Sequence, residues 1–277
     1  MTKNGSESRM KHVELRLAMG ALGVSIVALL LSQVRPLHEL LEQPELRLAV
    51  APNIEVGNML GHIEFTRYVT LSNTGRKAGT ALRTQMFVAR LDAGAFDKVF
   101  PAGFVSVQPP QFFNNPGSIR VPWHPVTIAV DSDWTSYVSY TQQWSAEESA
   151  AAGVLVKKAG AELPPAPQSG AHISEETFTA LSHFVDAHLD GFGVGRYGVL
   201  TYFWDSGSTA PKIDKCDVID VSDVNMQTFR DNVERYRTGL GLVYPNGPIP
   251  IFVVNTRDCD AQTTEELKKR FDVRKQQ

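Results

Sequence analysis

The chain has 277 residues, 27 basic and 30 acidic side chains, a formal net charge of −3, 43% hydrophobic residues and two cysteines. This apolar fraction and small net charge exclude a disordered chain, and two cysteines exclude a disulfide-dense mini-scaffold. The near-neutral balance leaves no electrostatic footprint for nucleic acid, and only one stretch has the length and apolarity of a membrane span, which excludes a multi-span transporter.

Residues 1–16 form a short polar tail. Leu17–Val34 then runs for eighteen residues without a charge, bracketed by Arg16 and Arg35. At 1.5 Å rise per residue a helix of that length spans about 27 Å, close to one hydrocarbon core. The expectation is an uncleaved transmembrane signal anchor at 17–34, with a cleaved signal peptide and a soluble core helix as competing readings. Lys3, Arg9, Lys11 and Arg16 precede the run, whereas Arg35 is followed by Glu39, Glu42 and Glu45. The positive-inside rule then predicts a single-pass protein of the cytoplasmic (inner) membrane. Its N-terminus would be inside and its C-terminal domain periplasmic or extracellular. Residues 35–45 read as a juxtamembrane stalk.

From Leu46 the pattern is that of strands. Leu46–Val56 is the first. Ile63, Phe65, Val69 and Leu71 alternate with polar neighbours, with Arg67 intruding on the apolar face, as in a half-buried strand. Asn73-Thr74-Gly75 is turn chemistry, since Asn and Gly tolerate positive φ. Leu82–Leu91, Val99–Val107, Ser118–Val121 and Pro125–Val130 continue the series, and such spacing predicts an antiparallel sandwich rather than βαβ units. Phe65–Val88, with its strand–NTG–strand pattern, resembles bacterial immunoglobulin-like membrane-anchored envelope domains. The resemblance implies an Ig-like β-sandwich and a binding or scaffolding role, and brings no functional residues with it.

Ser145 opens a helical run with Glu147 and Glu148 near its start and Gly160 as a stop. The segment 162–170 (ELPPAPQSG) reads as a linker. Ser174 caps a second helix, Val199–Trp204 and Asp214–Val221 are strands, and Met226, Phe229, Val233 and Tyr236 lie at helical spacing before Gly239. Ile249–Asn255 is a last strand, and Thr263 with Glu266 forms a capping-box pair for a terminal helix. The fold class is therefore mainly β with helical additions: an extracytoplasmic β-sandwich at 46–262 with a helical insertion at about 142–192, then a C-terminal helix or tail at 263–277. Two domains separated by the linker are the alternative.

Cys216 and Cys259 fit no CxxC metal or redox motif, and a disulfide between them is expected on the exported side. Gly193–Gly198 matches GxGxxG, but a helix precedes it and a strand follows, the reverse of a dinucleotide site. His183, Asp186 and His188 share one helix, yet the histidines are five apart rather than four. Asp214, Asp217, Asp220 and Asp223 lack the glycine and terminal glutamate of a calcium loop. Asp131 and Asp133 read as a turn. No catalytic, cofactor or metal site is assigned. Trp134, Tyr137, Tyr140 and Trp144 form the candidate interaction surface if exposed, and sandwich core if buried. The expected function is a non-enzymatic envelope scaffold or binding protein, with the membrane and an envelope protein as partners. The alternatives are a glycan-binding adhesion module and a hydrolase built around His124, Asp131 or His183.

Overall fold

The computed structural model describes residues 19–29, 43–92, 95–106, 120–189, 191–206, 211, 213–244 and 251–275. Among the described residues twelve strands are joined in an antiparallel sheet that curls back on itself and is nearly barrel-shaped. β1 (Leu46–Val50) and β2 (Asn53–Met59) lie end to end along one edge of β3 (His62–Asn73). The expected single strand at 46–56 breaks between them at Ala51-Pro52, where proline supplies no N–H for the ladder.

β3 pairs on its other edge with β8 (Ser132–Thr141), and β11 (Ile251–Asn255) closes the far side of β2. These strands form one wall, sheet A. β4 (Gly79–Arg90), β9 (Gly195–Asp205), β10 (Ile213–Val221) and the two-residue β12 (Arg257–Asp258) form the facing wall, sheet B. β5 (Asp97–Ser106) passes between the walls, pairing with β4 over 97–101 and with β8 over 102–106. β6 (Arg120–Pro122) borders β5, and β7 (Val126–Ile128) borders the start of β4.

Period-two alternation explains the core. On β3 the inward set is Ile63, Phe65, Arg67, Val69 and Leu71, and every one is buried. The apolar members meet Met86, Val88, Tyr197, Val199, Phe203 and Ile219 from sheet B. Arg67 stays inside because its guanidinium donates to the Asp217 carboxylate at 2.6 Å and to the Ala51 carbonyl at 3.1 Å.

Among the described residues five α-helices accompany the strands. The described helix α1 covers residues 19–29, and within it the Ser25 hydroxyl donates to the Ala21 carbonyl. α2 (Ala146–Glu162) starts at a Ser145/Glu148 capping box, and α3 (Glu175–His188) starts at Ser174, as the sequence predicts. The proline-rich stretch between them is pinned at both ends, because the Glu162 carboxylate accepts from the Ser174 backbone and the Thr177 hydroxyl. α4 (Asp223–Arg235) runs through a 3-10 turn to Gly239, which has φ of +76°. α2, α3 and the end of α4 share an apolar cluster that caps the β2–β3 end of the sheet through Leu60. α5 (Ala261–Lys275) is capped by Asp260 rather than Thr263, since Asp260 Oδ1 accepts from the Thr263 N–H. Leu267 and Phe271 of α5 cover the outer face of sheet B over Phe87, Leu200 and Tyr202.

The membrane expectation is corrected. Among the described residues no helix is long and apolar enough to cross a membrane. The described part of α1 covers eleven residues, about 16 Å at 1.5 Å per residue and roughly half a hydrocarbon core. Residues 17–18 and 30–34 of the expected anchor lie outside the described residues, as do the tail at 1–16 and most of the stalk at 35–45. The single-pass anchor is therefore unsupported, and with it the membrane as partner and the inner-membrane location with an exported domain. The expected disulfide is present: Cys216 on β10 is bonded to Cys259 just after β12, with Cα atoms 5.4 Å apart.

Candidate functional site on the outer face of sheet A

Helices cover the β2–β3 end of the sheet and the outer side of sheet B, whereas the outer side of sheet A carries a groove of about 270 Å³. The pleat that buries Ile63, Phe65 and Arg67 turns His62, Glu64, Thr66 and Tyr68 outward. Strand register arranges these in rows. Glu55 lies opposite Thr66, Thr66 opposite Ser139, and Ser139 opposite Phe104. In the next row Ile251 faces Gly57, Gly57 faces Glu64, and Glu64 faces Thr141. Gly57 brings no side chain to this row, which leaves the groove its depth. In a third row Tyr68 lies opposite Tyr137, their rings 4.9 Å apart and tilted by 50°.

Arg120 on β6 reaches across β5 and β8 to Glu64, ending 3.0 Å from its carboxylate. The Thr66 hydroxyl donates to Glu64 at 3.1 Å and lies 2.9 Å from the Ser139 hydroxyl. Glu64 is thus held from two sides, by Arg120 and by Thr66. Glu55 differs: burial raises its carboxyl above the ordinary value of 4.5, Arg120 opposes that rise and the Glu64 charge adds to it. Burial, with Glu55 and Tyr68 nearby, likewise raises the Tyr137 phenol. Tyr68, Phe104, Ile251 and Val253 are all exposed around this polar centre.

His62 marks one end of the groove. Its Nε2–H donates to the Gln142 carbonyl and its ring lies 4.9 Å from Trp144. Burial lowers the imidazole below 6.5; Glu64 and Glu148 oppose this and His188 reinforces it. His188 packs on Phe184, with ring centroids 4.0 Å apart, and its Nε2 is 3.5 Å from Glu148. A second cleft, of about 390 Å³, lies between α3 and α4 over Phe192, Met226 and Phe229, with Asp186 and Arg230 among its lining.

The structure distributes the residues singled out from the sequence. Of the aromatic run, only Tyr137 lies on the outer face. Tyr140 is fully buried with its hydroxyl 3.0 Å from that of Thr84, Trp134 packs inward against Trp123, and Trp144 is wedged between His62 and α3. The four aspartates go separate ways: Asp214 to Lys268, Asp217 to Arg67, Asp220 to Arg257, and Asp223 to the first turn of α4. Among the described residues no group of three or more His, Cys, Asp or Glu side chains is placed to hold a metal. His124 follows β6, Asp131 sits in the β7–β8 turn and His183 is exposed on α3; no hydrogen bond or ion pair among the described residues joins them. The glycine-rich 193–198 segment leads from a loop into β9, closed by a mutual bond between Gly193 and the Tyr197 hydroxyl. Glu55, Glu64 and Arg120 escape sequence reading because they come from three strands and look like ordinary solvent-facing positions of a half-buried sheet.

No family model matches the chain, and no curated protein matches it in sequence. Among solved structures the chain is similar to the sporulation control protein Spo0M from Bacillus subtilis. The identity is 11%, the match covers 79% of this chain and 70% of that one, and the TM-score is 0.27. A likeness of that degree carries no argument about fold or function.

Proposed function

We propose that this protein is a non-enzymatic binding module whose ligand sits on the outer face of sheet A. One observation carries the reading. This face holds a groove with fixed polar groups at its centre and exposed apolar side chains around it, while α5 and the helical cap occupy other faces. Exposed apolar groups gathered beside convergent polar ones mark binding sites more often than bare surface. The reading keeps the immunoglobulin-like expectation as a proposal, supported by antiparallel strands facing each other across an apolar core.

Photo-crosslinking side chains placed at Tyr68, at Val253 and, as control, at Val154 on α2 test it in the cells that make the protein. Adducts from 68 and 253 and none from 154 are expected. Adducts from 154 alone, or equal yields from all three, would remove the proposal.

A further inference from the structure

We infer that the sheet A groove takes a neutral, polyhydroxylated ligand, an oligosaccharide; this rests on the proposal that the outer face of sheet A is the binding surface. Three features select the chemistry, and the first is charge. The groove brings together Glu55, Glu64 and Arg120, and the ion pair between the last two consumes the arginine. A polyanion would meet two carboxylates, and a polycation would meet Arg120, with only Glu55 outside the ion pair to receive it. A ligand without charge meets neither penalty.

The second feature is hydrogen-bonding capacity. Carboxylates accept from hydroxyls, guanidinium groups only donate, and threonine and serine hydroxyls do both. Glu64, Arg120, Thr66 and Thr141 line the groove and present all three kinds, and mutual bonds already fix the first three, with the buried Ser139 hydroxyl behind Thr66. A sugar ring displays alternating donor and acceptor hydroxyls at comparable spacing. Because these protein groups are held before the ligand arrives, little ordering remains to oppose binding.

The third feature is how apolar and polar groups are distributed. Protein–protein interfaces have an apolar centre and a polar rim, with charged residues depleted at the centre. This face is the inverse. Two carboxylates and an arginine lie centrally, and Tyr68, Tyr137, Phe104, Ile251 and Val253 surround them. Aromatic faces beside a hydroxyl-binding groove suit the C–H faces of pyranose rings. The volume of about 270 Å³ falls just below the usual range for enclosed small-molecule pockets, about 300–1,000 Å³. A short stretch of sugar chain can enter it, with neighbouring rings lying on the tyrosine shelf.

The test is binding of the full chain to an array of neutral gluco-, manno- and N-acetylglucosamine oligosaccharides beside sulfated and uronic-acid ones. The wild type is compared with Tyr137→Ala, Glu64→Gln and the α2 control Val154→Asp, all checked for folding by circular dichroism. Retention of at least one neutral class is expected, reduced tenfold or more by Tyr137→Ala and by Glu64→Gln and unchanged by Val154→Asp. No retention of neutral sugars, retention of acidic ones alone, or retention that survives both groove substitutions would overturn the inference. Crosslinks from Tyr68 and Val253 to a protein, together with a blank array, would overturn the sugar and leave the binding face standing. A blank array with no crosslinks from either position would remove both.

Discussion

Arg67 shows how one side chain constrains a whole sheet. It lies at 0% side-chain exposure facing Asp217 at 2%, among the aliphatic and aromatic groups of the core. Lys215 Nζ stands 4.0 Å from the same carboxylate but donates its hydrogen bond to Asp258. Breaking a buried pair costs about 3–5 kcal/mol, whereas replacing both members by apolar groups is often neutral or stabilising. Arg67→Met alone should therefore lower unfolding free energy by roughly that amount, and Arg67→Met with Asp217→Leu should recover most of it; urea denaturation of the single and double variants decides. Recovery that fails would mean the pair fixes strand positions as well as compensating charge. Arg67 is legible in the sequence as an intruder on an apolar face. Its partner is not, because Asp217 lies 150 positions away among aspartates spaced like surface residues. Asn73 is similar in kind. The sequence assigns it to a turn by its tolerance of positive φ, but it holds the turn by bonds instead: its side-chain amide donates to the Lys77 and Ile128 carbonyls and its oxygen accepts from Gly75 and Glu45.

Elements were easier to read than their packing. Ser145, Ser174 and Gly239 mark helix ends where the sequence places them, because capping is local chemistry. The β2–β3 hairpin is not legible. Its turn places Leu60 at φ of +52°, which a bulky residue rarely adopts, followed by Gly61 at +78°. Leu60 is held there from outside: it is buried in the helical cluster and its N–H donates to the Tyr236 hydroxyl. Helix α5 depends on a similarly hidden feature. A Cβ on Gly198 of β9 would lie 2.4 Å from Leu267 Cδ1 and 3.2 Å from its Cγ, so the entire Leu267 side chain would have to move. Overpacking of this kind costs about 1–3 kcal/mol. Gly198→Ala is expected to destabilise by that amount and to speed amide exchange within 261–275 while leaving α2 unchanged. Uniform acceleration across both helices would show that α5 is not a separately docked element.

At the scale of the molecule, two features join distant parts. The disulfide closes a loop across 43 positions that contains α4 and β11, and the chain-entropy model gives such a loop about 4 kcal/mol. The Cys216→Ser, Cys259→Ser double variant should lose roughly that much in denaturant titration. The pairing is readable from two cysteines alone, whereas the groove is not, since its walls come from β2, β3, β5, β6, β8 and β11 and no local motif spans them. The second feature is the seam between sheet and helical cap, where His62 of β3 meets Trp144, His188 of α3 and Glu148 of α2. Burial holds His62 below 6.5 in the folded protein, so the native state keeps it neutral while the unfolded chain takes up a proton near 6.5. Unfolding is then favoured by acid: stability contributed by this site is complete above 6.5, declines as pH falls through that value, and stops declining once pH is below the folded-state value. Glu148, Glu162 and Glu175 are shifted the other way, held below 4.5 chiefly by hydrogen bonds to Ser145, Thr177 and Arg237 respectively, and their contribution is lost only at lower pH. The two windows separate the causes. His62→Gln should flatten the stability curve near and just below pH 6.5 and leave the fall below pH 4.5 intact, as read from urea midpoints across pH 3.5–8. A curve whose upper window is unchanged by His62→Gln would mean that another group governs the seam.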